Sequence, residues 1–159
     1  MFWKKDASPK FIAANELGRL ARWIRLLGYD CVYYEKKEKR ELIITSLREN
    51  RIILTREKGI SKYSGIRMIH IKKDFVEDQV RQILTGLRLE VDEDKMFTRC
   101  TVCNTPIEEI AKKDAEDLVP PYVYKTQDNF KKCPNCKKIY WKGTHWNLAT
   151  GFLKERAKA

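Results

Sequence analysis

The sequence predicts an α/β fold with a parallel sheet and flanking helices, followed by a small cysteine-rich unit. Over residues 10–86, short apolar runs alternate with segments whose apolar side chains recur every three or four positions. Strands and helices that alternate along a chain form parallel sheets with right-handed crossovers and with helices on the sheet faces. The pattern Cys-x-x-Cys then occurs twice, beginning at Cys100 and at Cys133, and marks the second unit.

Four short apolar runs are the predicted strands. The third run, which contains two isoleucines and a leucine, is typical of a strand buried in the middle of a parallel sheet. The predicted strands are residues 10–13, 31–34, 51–54 and 67–71.

Four helices are predicted between and after these strands. In the first, Leu17, Leu20, Ala21 and Ile24 recur at helical spacing, and Gly28 stands where a helix C-cap is expected. The predicted helices are residues 17–27, 41–49, 57–63 and 75–87.

Two units are therefore expected along the chain. Residues 10–88 would form the α/β domain, and residues 97–146 would form the cysteine-rich module. The acidic stretch 89–95 has neither a strand nor a helix pattern, so it is predicted to be a linker. The Pro-Pro-Tyr sequence at 120–122 is expected to be a rigid strap that packs one unit on the other.

The two cysteine pairs predict a metal site. Each pair lets both sulfurs reach one ion from a tight turn, and two converging pairs supply the tetrahedral thiolate arrangement that suits Zn²⁺. Two disulfides or a redox-active pair are the alternatives, but nothing else in the sequence marks an oxidising compartment. The fifth cysteine, Cys31, is expected to be a small buried side chain in a strand. We therefore expect a closed, structural zinc site with the ligands Cys100, Cys103, Cys133 and Cys136.

The composition points to a polyanionic partner. The chain has 33 basic and 22 acidic residues, a net charge of +11 and a pI near 9.5. Such a charge attracts nucleic acid first. No long apolar run supports a membrane partner, and the N-terminal residues lack the apolar stretch of a signal peptide. A cytoplasmic protein is expected.

Acidic residues follow the predicted strands where a ligand would bind, beyond the carboxyl ends of a parallel sheet. Glu16 follows the first strand, Glu57 the third and Asp74 the fourth, while Glu41 opens the second helix. Converging carboxylates bind Mg²⁺ or Mn²⁺ through oxygen, and such an ion can activate water and stabilise charge on a phosphodiester. The alternative is that they are ordinary acids at helix N-termini, favoured by capping and by the helix dipole.

Six segments form a series along the chain: FIA (11–13), LGRLARWIRLLGYD (17–30), ILTREKG (53–59), RCTVCN (99–104), VPPYVY (119–124) and CPNCKKIYWKGTHW (133–146). In this order they resemble the mutator-seven C-terminal RNase domain family, and the resemblance extends over about residues 10–146. The resemblance implies a PIN-like α/β nuclease domain that carries a C-terminal zinc ribbon. It also implies that acidic residues at the sheet edge hold a divalent metal and that RNA is the substrate cleaved.

Two positions depart from the family pattern. Family members typically have aspartate at the end of the first strand, where this chain has Ala14, and a methyl group cannot bind a metal. Glu57 replaces the aspartate of the family's Leu-Thr-Arg-Asp segment, and Glu16 is the candidate substitute ligand. The resemblance therefore implies a ribonuclease dependent on Mg²⁺ or Mn²⁺, weakened or inactive because of Ala14. The alternative is a non-catalytic RNA-binding or ribonucleoprotein-docking module.

Basic side chains near the edge and in the ribbon are candidates for binding RNA phosphates, and the ribbon aromatics are candidates for stacking on bases. Plain solvation is the alternative for each cation, and packing against the cysteine pairs is the alternative for Tyr140, Trp141 and Trp146. His145 is expected to be structural, because four thiolates already fill the ion's shell. The candidate RNA-binding residues are Arg19, Arg22, Arg56, Lys58, Lys137 and Lys142.

Overall fold

A four-stranded parallel sheet lies at the centre of the computed structural model, which describes residues 8–143, 147 and 151. Its strands are β1 (Phe11–Ala13), β2 (Cys31–Tyr33), β3 (Ile52–Thr55) and β4 (Met68–His70), in the order β2-β1-β3-β4. All three pairings are parallel, so the carboxyl ends of the strands meet at one edge of the sheet. The central strands β1 and β3 are buried along their whole length, as their apolar sequences predict.

Three helices cover the two faces of this sheet. Helices α1 (Gly18–Leu26) and α3 (Val76–Gly86) pack on one face through side chains such as Leu20 and Ile83, and α2 (Lys39–Glu49) packs on the other through Leu42. Each such side chain contributes roughly 1.5–3 kcal/mol by leaving water. The predicted α/β fold, with a parallel sheet and flanking helices, is confirmed.

Two predicted helices differ in detail from the structure. Helix α2 begins at Lys39 instead of Glu41, because a first turn of polar residues precedes its apolar stripe. The helix predicted at 57–63 is a short 3-10 helix, Lys58–Lys62, with Ile60 as its buried side chain. Another 3-10 turn, Asn15–Leu17, leads from the first strand into α1.

The acidic stretch after α3 packs against the domain instead of spanning a gap. Leu89 and Val91 pack on the α1–α3 side of the core, and Met96 is fully buried there. Gly28, with a φ of 94°, lies so close to this stretch that a Cβ atom would stand 2.3 Å from the Lys95 carbonyl oxygen. The segment is therefore fixed to the end of α1, and only its lack of a regular pattern was predicted.

A smaller antiparallel sheet forms the second unit. Its strands are β5 (Glu108–Ile110), β6 (Phe130–Lys132) and β7 (Ile139–Tyr140), with the short helices α4 (Lys112–Ala115) and α5 (Pro121–Thr126) between β5 and β6. Ala115, Val119, Val123 and Phe130 form its own apolar core. The strap expected at 120–122 is wrong, because Pro121 opens α5 and Tyr122 is 70% exposed. The predicted residues His145 and Trp146 lie outside the described residues.

A buried arginine joins the two units. Arg25 of α1 donates through Nε to the Cys31 carbonyl oxygen at 2.8 Å, and through one terminal nitrogen to the carbonyl oxygens of Thr101 and Val102 at 2.9 and 3.1 Å. The side chain is only 7% exposed. A guanidinium in that setting requires its acceptors, so the position of the first cysteine pair is tied to the end of α1.

Asn104 extends this junction to the edge strand of the parallel sheet. Its side-chain oxygen accepts from the Cys31 amide at 3.0 Å, and its amide nitrogen donates to Asp30 at 2.7 Å. Asp30 also forms an ion pair with the buried Arg51 at 2.7 Å. Burial raises the pKa of the Asp30 carboxyl, but hydrogen bonds from Arg51 and Asn104 outweigh it and leave the pKa lowered. Cys31 itself is fully buried, as expected, and that burial raises the pKa of its thiol to about 12.

Candidate metal centre and sheet-edge site

Two equivalent turns bring the predicted cysteines together. In the first, the Asn104 amide donates to the Cys100 carbonyl oxygen at 2.9 Å, and in the second the Lys137 amide donates to that of Cys133 at 3.0 Å. Asn104 and Lys137 both have a left-handed backbone, with φ of 66° and 68°. Both turns then present two sulfurs on the same side. As a result, the sulfurs of Cys100, Cys103, Cys133 and Cys136 all lie within 4.8 Å of one another.

Hydrogen bonds in this thiol cluster favour the thiolate of Cys100. At Cys136 a backbone hydrogen bond lowers the pKa of the thiol, but burial and the neighbouring sulfurs outweigh it and raise the pKa to about 12. The amides of Cys103 and Cys136 donate to the sulfurs of Cys100 and Cys133 at 3.3 and 3.4 Å. The Tyr140 hydroxyl donates to the Cys100 sulfur at 3.0 Å. Burial raises the pKa of the Cys100 thiol, but these donors outweigh it and lower the pKa to about 7. The cluster could hold a metal ion such as zinc, and four protein ligands would close its coordination shell.

Ala14 lies at the carboxyl end of β1, in a cleft at the sheet edge. Its amide donates to the Leu54 carbonyl oxygen at 2.9 Å, and its methyl group packs with Leu42 and Ile60. The side chain is 5% exposed and offers no ligand atom. This sheet-edge cleft is lined by Ala14, Asn15, Glu16, Tyr34, Lys36, Lys37, Glu38, Lys39, Leu42, Thr55, Glu57 and Ile60.

Two of the predicted acids, Glu16 and Glu57, line this cleft. One carboxylate oxygen of Glu16 accepts from the Thr55 hydroxyl at 3.2 Å and from the Arg56 amide at 3.0 Å, which fixes it to the end of β3. Glu57 forms an ion pair with Lys39, the first residue of α2. Each acid is therefore already engaged by the protein.

The other two predicted acids lie elsewhere. Asp74 is 84% exposed and forms an ion pair with Arg56 at 2.8 Å, while the other terminal nitrogen of Arg56 donates to the Lys73 carbonyl oxygen at 2.6 Å. Glu41 is exposed and does not line the cleft. Glu38 lines it instead, because α2 begins two residues earlier than predicted and Glu38 is its N-cap residue. Locating the start of α2 correctly would have revealed this acid.

The arrangement of the acids decides what the edge can bind. Within the described part of the chain, only the four cysteines place three or more candidate ligand atoms within 4.8 Å of one another. A divalent ion of the Mg²⁺ or Mn²⁺ type needs several oxygen ligands in near-ideal geometry. Because Ala14 supplies none and Glu57 is paired with Lys39, the residues at this edge do not fit that ion. The ligand roles of Glu16, Glu41, Glu57 and Asp74 stay predictions.

The candidate RNA-binding cations all lie on the surface. Arg19 and Arg22 project from α1, Arg56 and Lys58 follow β3, and Lys137 and Lys142 belong to the second unit. Of the aromatic candidates there, Tyr140 is buried against the cysteines, which favours the packing interpretation for that ring. Trp141 is half-buried beside the second unit's core. None of the described helices is both long and apolar enough to cross a membrane.

One of three comparisons with known proteins finds a match for this chain. A family model described as the Mut7-C RNAse domain matches residues 9–153, which is most of the chain. Searches of curated proteins and of solved structures find no match. The family match spans both the parallel sheet and the two cysteine turns. The chain therefore belongs to the Mut7-C RNAse domain family.

Proposed function

We propose that this protein acts on RNA at the sheet-edge cleft, as a ribonuclease-type protein whose metal-dependent cleavage is weakened or lost. The match of most of the chain to an RNase domain family carries the proposal, and this family implies RNA as the substrate. The cleft contains three carboxylates, from Glu16, Glu38 and Glu57, beside the Ala14 methyl group. A hard divalent ion tolerates a missing ligand poorly, so we expect slow cleavage or none.

The charge distribution supports a polyanionic substrate. The net charge is +11, and the six candidate cations on α1, after β3 and on the second unit are exposed. Cations at fixed positions neutralise phosphates and position a nucleic acid without reading its sequence. We propose that RNA lies across the sheet-edge cleft near Arg56 and Lys58. Lys137 and Lys142 belong to the second unit, which packs at the opposite end of the sheet, and we propose them as separate phosphate contacts.

We further propose that the thiol cluster holds a structural zinc ion. The support is the set of four convergent sulfurs and the N–H and O–H donors directed at Cys100 and Cys133. In this proposal residues 10–88 form the PIN-like RNase domain, residues 97–146 form the zinc ribbon, and the protein works in the cytoplasm. Mg²⁺ or Mn²⁺ belongs to the family's cleavage chemistry, for which the donor set here is incomplete.

A non-catalytic RNA-binding or ribonucleoprotein-docking module is the second candidate. The ion pairs Lys39–Glu57 and Arg56–Asp74 favour it, because each occupies an acid that the catalytic proposal needs. In this case the edge would bind the RNA backbone and leave it intact.

A cleavage assay separates the two candidates. Labelled single-stranded RNA is incubated with the protein in Mn²⁺ or Mg²⁺, with and without a chelator, and the Ala14→Asp variant is tested beside it. The catalytic candidate predicts chelator-sensitive cutting that rises at least tenfold in Ala14→Asp. The matched control is Ala111→Asp, at an exposed alanine outside the cleft, which should change nothing. Absence of cutting by both the protein and Ala14→Asp favours the non-catalytic candidate.

RNA binding itself is tested by its dependence on salt. For a single strand, the logarithm of the binding constant should fall with the logarithm of salt concentration by about 0.7 per phosphate neutralised. Arg56→Ala and Lys137→Ala should each lower that slope by roughly this amount. Binding that does not respond to salt, or no binding at all, contradicts the proposal that the protein acts on RNA.

A further inference from the structure

We propose that Lys39 is a built-in cation of the sheet-edge cleft, which pairs with Glu57 and lets the cleft bind an RNA phosphate without a divalent ion. The inference deepens the proposed function and rests on it, because it assumes that RNA binds at this edge. It assigns Lys39 a role that differs from that of the acidic residues around it.

The sheet-edge cleft lacks an oxygen ligand at position 14. Ala14 occupies the end of the central strand β1, where an acid would project into the cleft, and its methyl group instead packs with Leu42 and Ile60. A site that has lost its central oxygen ligand has also lost negative charge. One fewer carboxylate weakens the attraction of the cleft for a doubly charged ion. A single positive charge, that of Lys39, is then enough to pair with Glu57.

Lys39 is the first residue of α2 and lines the cleft. Lys39 and Leu42 are three residues apart, so they lie on the same face of the helix, and both line the cleft. Leu42 anchors that face in the core next to Ala14. The helix therefore directs the Lys39 side chain toward the cleft, where its ammonium group meets the Glu57 carboxylate.

A second ion pair between a cation and a predicted ligand acid forms at the same edge of the sheet, outside the cleft. Arg56 pairs with Asp74 at 2.8 Å and also donates to the Lys73 carbonyl oxygen, so it is held in place from two sides. Two of the predicted ligand acids thus have a cation of the protein as partner. Each of these two cations offsets the charge of an acid that would otherwise attract a divalent ion.

The cleft has further hydrogen-bond donors that a phosphate could use. Lys36 and Lys37 line the same cleft as Lys39. Tyr34 also lines it, and the buried hydroxyl of Tyr34 has no hydrogen-bond partner among the described residues. A buried donor without an acceptor is costly, and a phosphate oxygen reaching into the cleft would supply the acceptor.

Two titrations test the proposal. Each is done on the unaltered protein, Lys39→Met, Ala14→Asp and the double variant. All four are loaded with zinc, and circular dichroism checks that they are folded. The first titration follows the free Mn²⁺ signal by electron paramagnetic resonance as the protein is added. The second measures the affinity for a single-stranded oligouridine in buffer freed of divalent ions. Lys113→Met is the matched control, because Lys113 is an exposed lysine outside the cleft.

The proposal predicts no Mn²⁺ binding by the protein below millimolar concentration, and binding by the double variant at least tenfold tighter than by Ala14→Asp alone. It also predicts that Lys39→Met weakens oligouridine binding three- to tenfold, while Lys113→Met does not. Tight Mn²⁺ binding by the unaltered protein at this edge overturns it, as does an unchanged RNA affinity of Lys39→Met when the protein itself binds RNA. If no protein binds RNA, the proposed function fails and with it the phosphate role. The Mn²⁺ titration then tests only whether Lys39 keeps a divalent ion out by pairing with Glu57. Equal Mn²⁺ affinities of Ala14→Asp and the double variant would overturn that role.

Discussion

The thiol cluster and the sheet-edge cleft use potential metal ligands in opposite ways. At the thiol cluster, four sulfurs lie within 4.8 Å of one another, and those of Cys100 and Cys133 accept hydrogen bonds from N–H and O–H donors. At the cleft, Glu57 pairs with Lys39 and Glu16 is fixed by the end of β3, while Asp74 pairs with Arg56 outside the cleft. The first site is arranged for an ion from solution. In the second, two acids are engaged by the protein itself, Glu57 by the cation Lys39 and Glu16 by a hydroxyl and a backbone amide.

The difference follows from how each site is assembled. Each cysteine pair is a local turn, so its geometry depends on a few neighbouring residues such as Asn104 and Lys137. The acids of the cleft come from the ends of separate strands and from α2, and each depends on where those elements end. A single change, such as alanine at position 14, is therefore enough to alter the edge without affecting the thiol cluster.

The largest effect should come from breaking the thiol cluster. Cys100→Ser removes a buried ligand, and structural zinc sites of this kind contribute about 10–16 kcal/mol of apparent binding free energy that is also folding free energy. We expect loss of bound metal and unfolding of the second unit. Elemental analysis and limited proteolysis would measure these changes. Cys31→Ser, at a buried cysteine outside the cluster, should keep the metal. Full metal content in Cys100→Ser would contradict the assignment of the ligands.

The junction between the two units gives the next effect. Arg25→Met leaves the carbonyl oxygens of Cys31, Thr101 and Val102 without their donor, and should lower the free energy of unfolding by about 1.5–3 kcal/mol. Urea denaturation would measure the change. Arg22→Met, at an exposed arginine of the same helix, should change stability by less than about 0.5 kcal/mol. Equal effects for the two variants would mean that the buried arginine does not join the units.

Asp30 makes the same junction sensitive to pH. Its pKa is lowered in the folded protein, so its contribution to stability is present above the unfolded value of about 3.9 and is lost as the pH falls through the folded value. Asp30→Asn should therefore destabilise the protein at pH 7 by about 1–2 kcal/mol and by much less near pH 2. Thermal denaturation at both pH values would show this. A stability loss that is independent of pH would contradict the lowered pKa.

The smallest effect should come from the exposed ion pair at the edge. Asp74→Asn removes the partner of Arg56, and exposed ion pairs contribute at most about 1 kcal/mol. We expect an almost unchanged melting temperature in calorimetry together with somewhat tighter RNA binding, since one negative charge is removed. A loss greater than about 2 kcal/mol would show that the edge is a structural network and not a balanced binding surface.

The sequence was sufficient for the elements whose pattern is strong. The apolar run of β3 and the stripe of α1 predicted a buried strand and a helix, and both are present. The four-cysteine cluster could also be predicted, because the spacing of each pair sets its local geometry. The strands of the second sheet were not predicted, since each has only two or three residues and β5 and β6 are largely charged.

The pairing of the cleft acids could not be predicted from spacing. The apolar stripe of α2 marks its middle and not its first turn, so the pattern predicts Glu41 at the edge, where Glu38 in fact lines the cleft. Lys39 and Glu57 are 18 positions apart, and their contact depends on how α2 packs beside β3. Such contacts between long polar side chains are set by tertiary structure, which a periodic pattern does not contain.

Anomalous diffraction from crystals of zinc-loaded protein soaked in Mn²⁺ would test the contrast between the two sites most directly. We predict one strong peak at the centre of the four sulfurs and no peak within coordination distance of Glu16 or Glu57. A manganese peak in the cleft with two or more carboxylate oxygens as ligands would contradict the account. It would mean that the sheet edge of this protein binds a divalent ion.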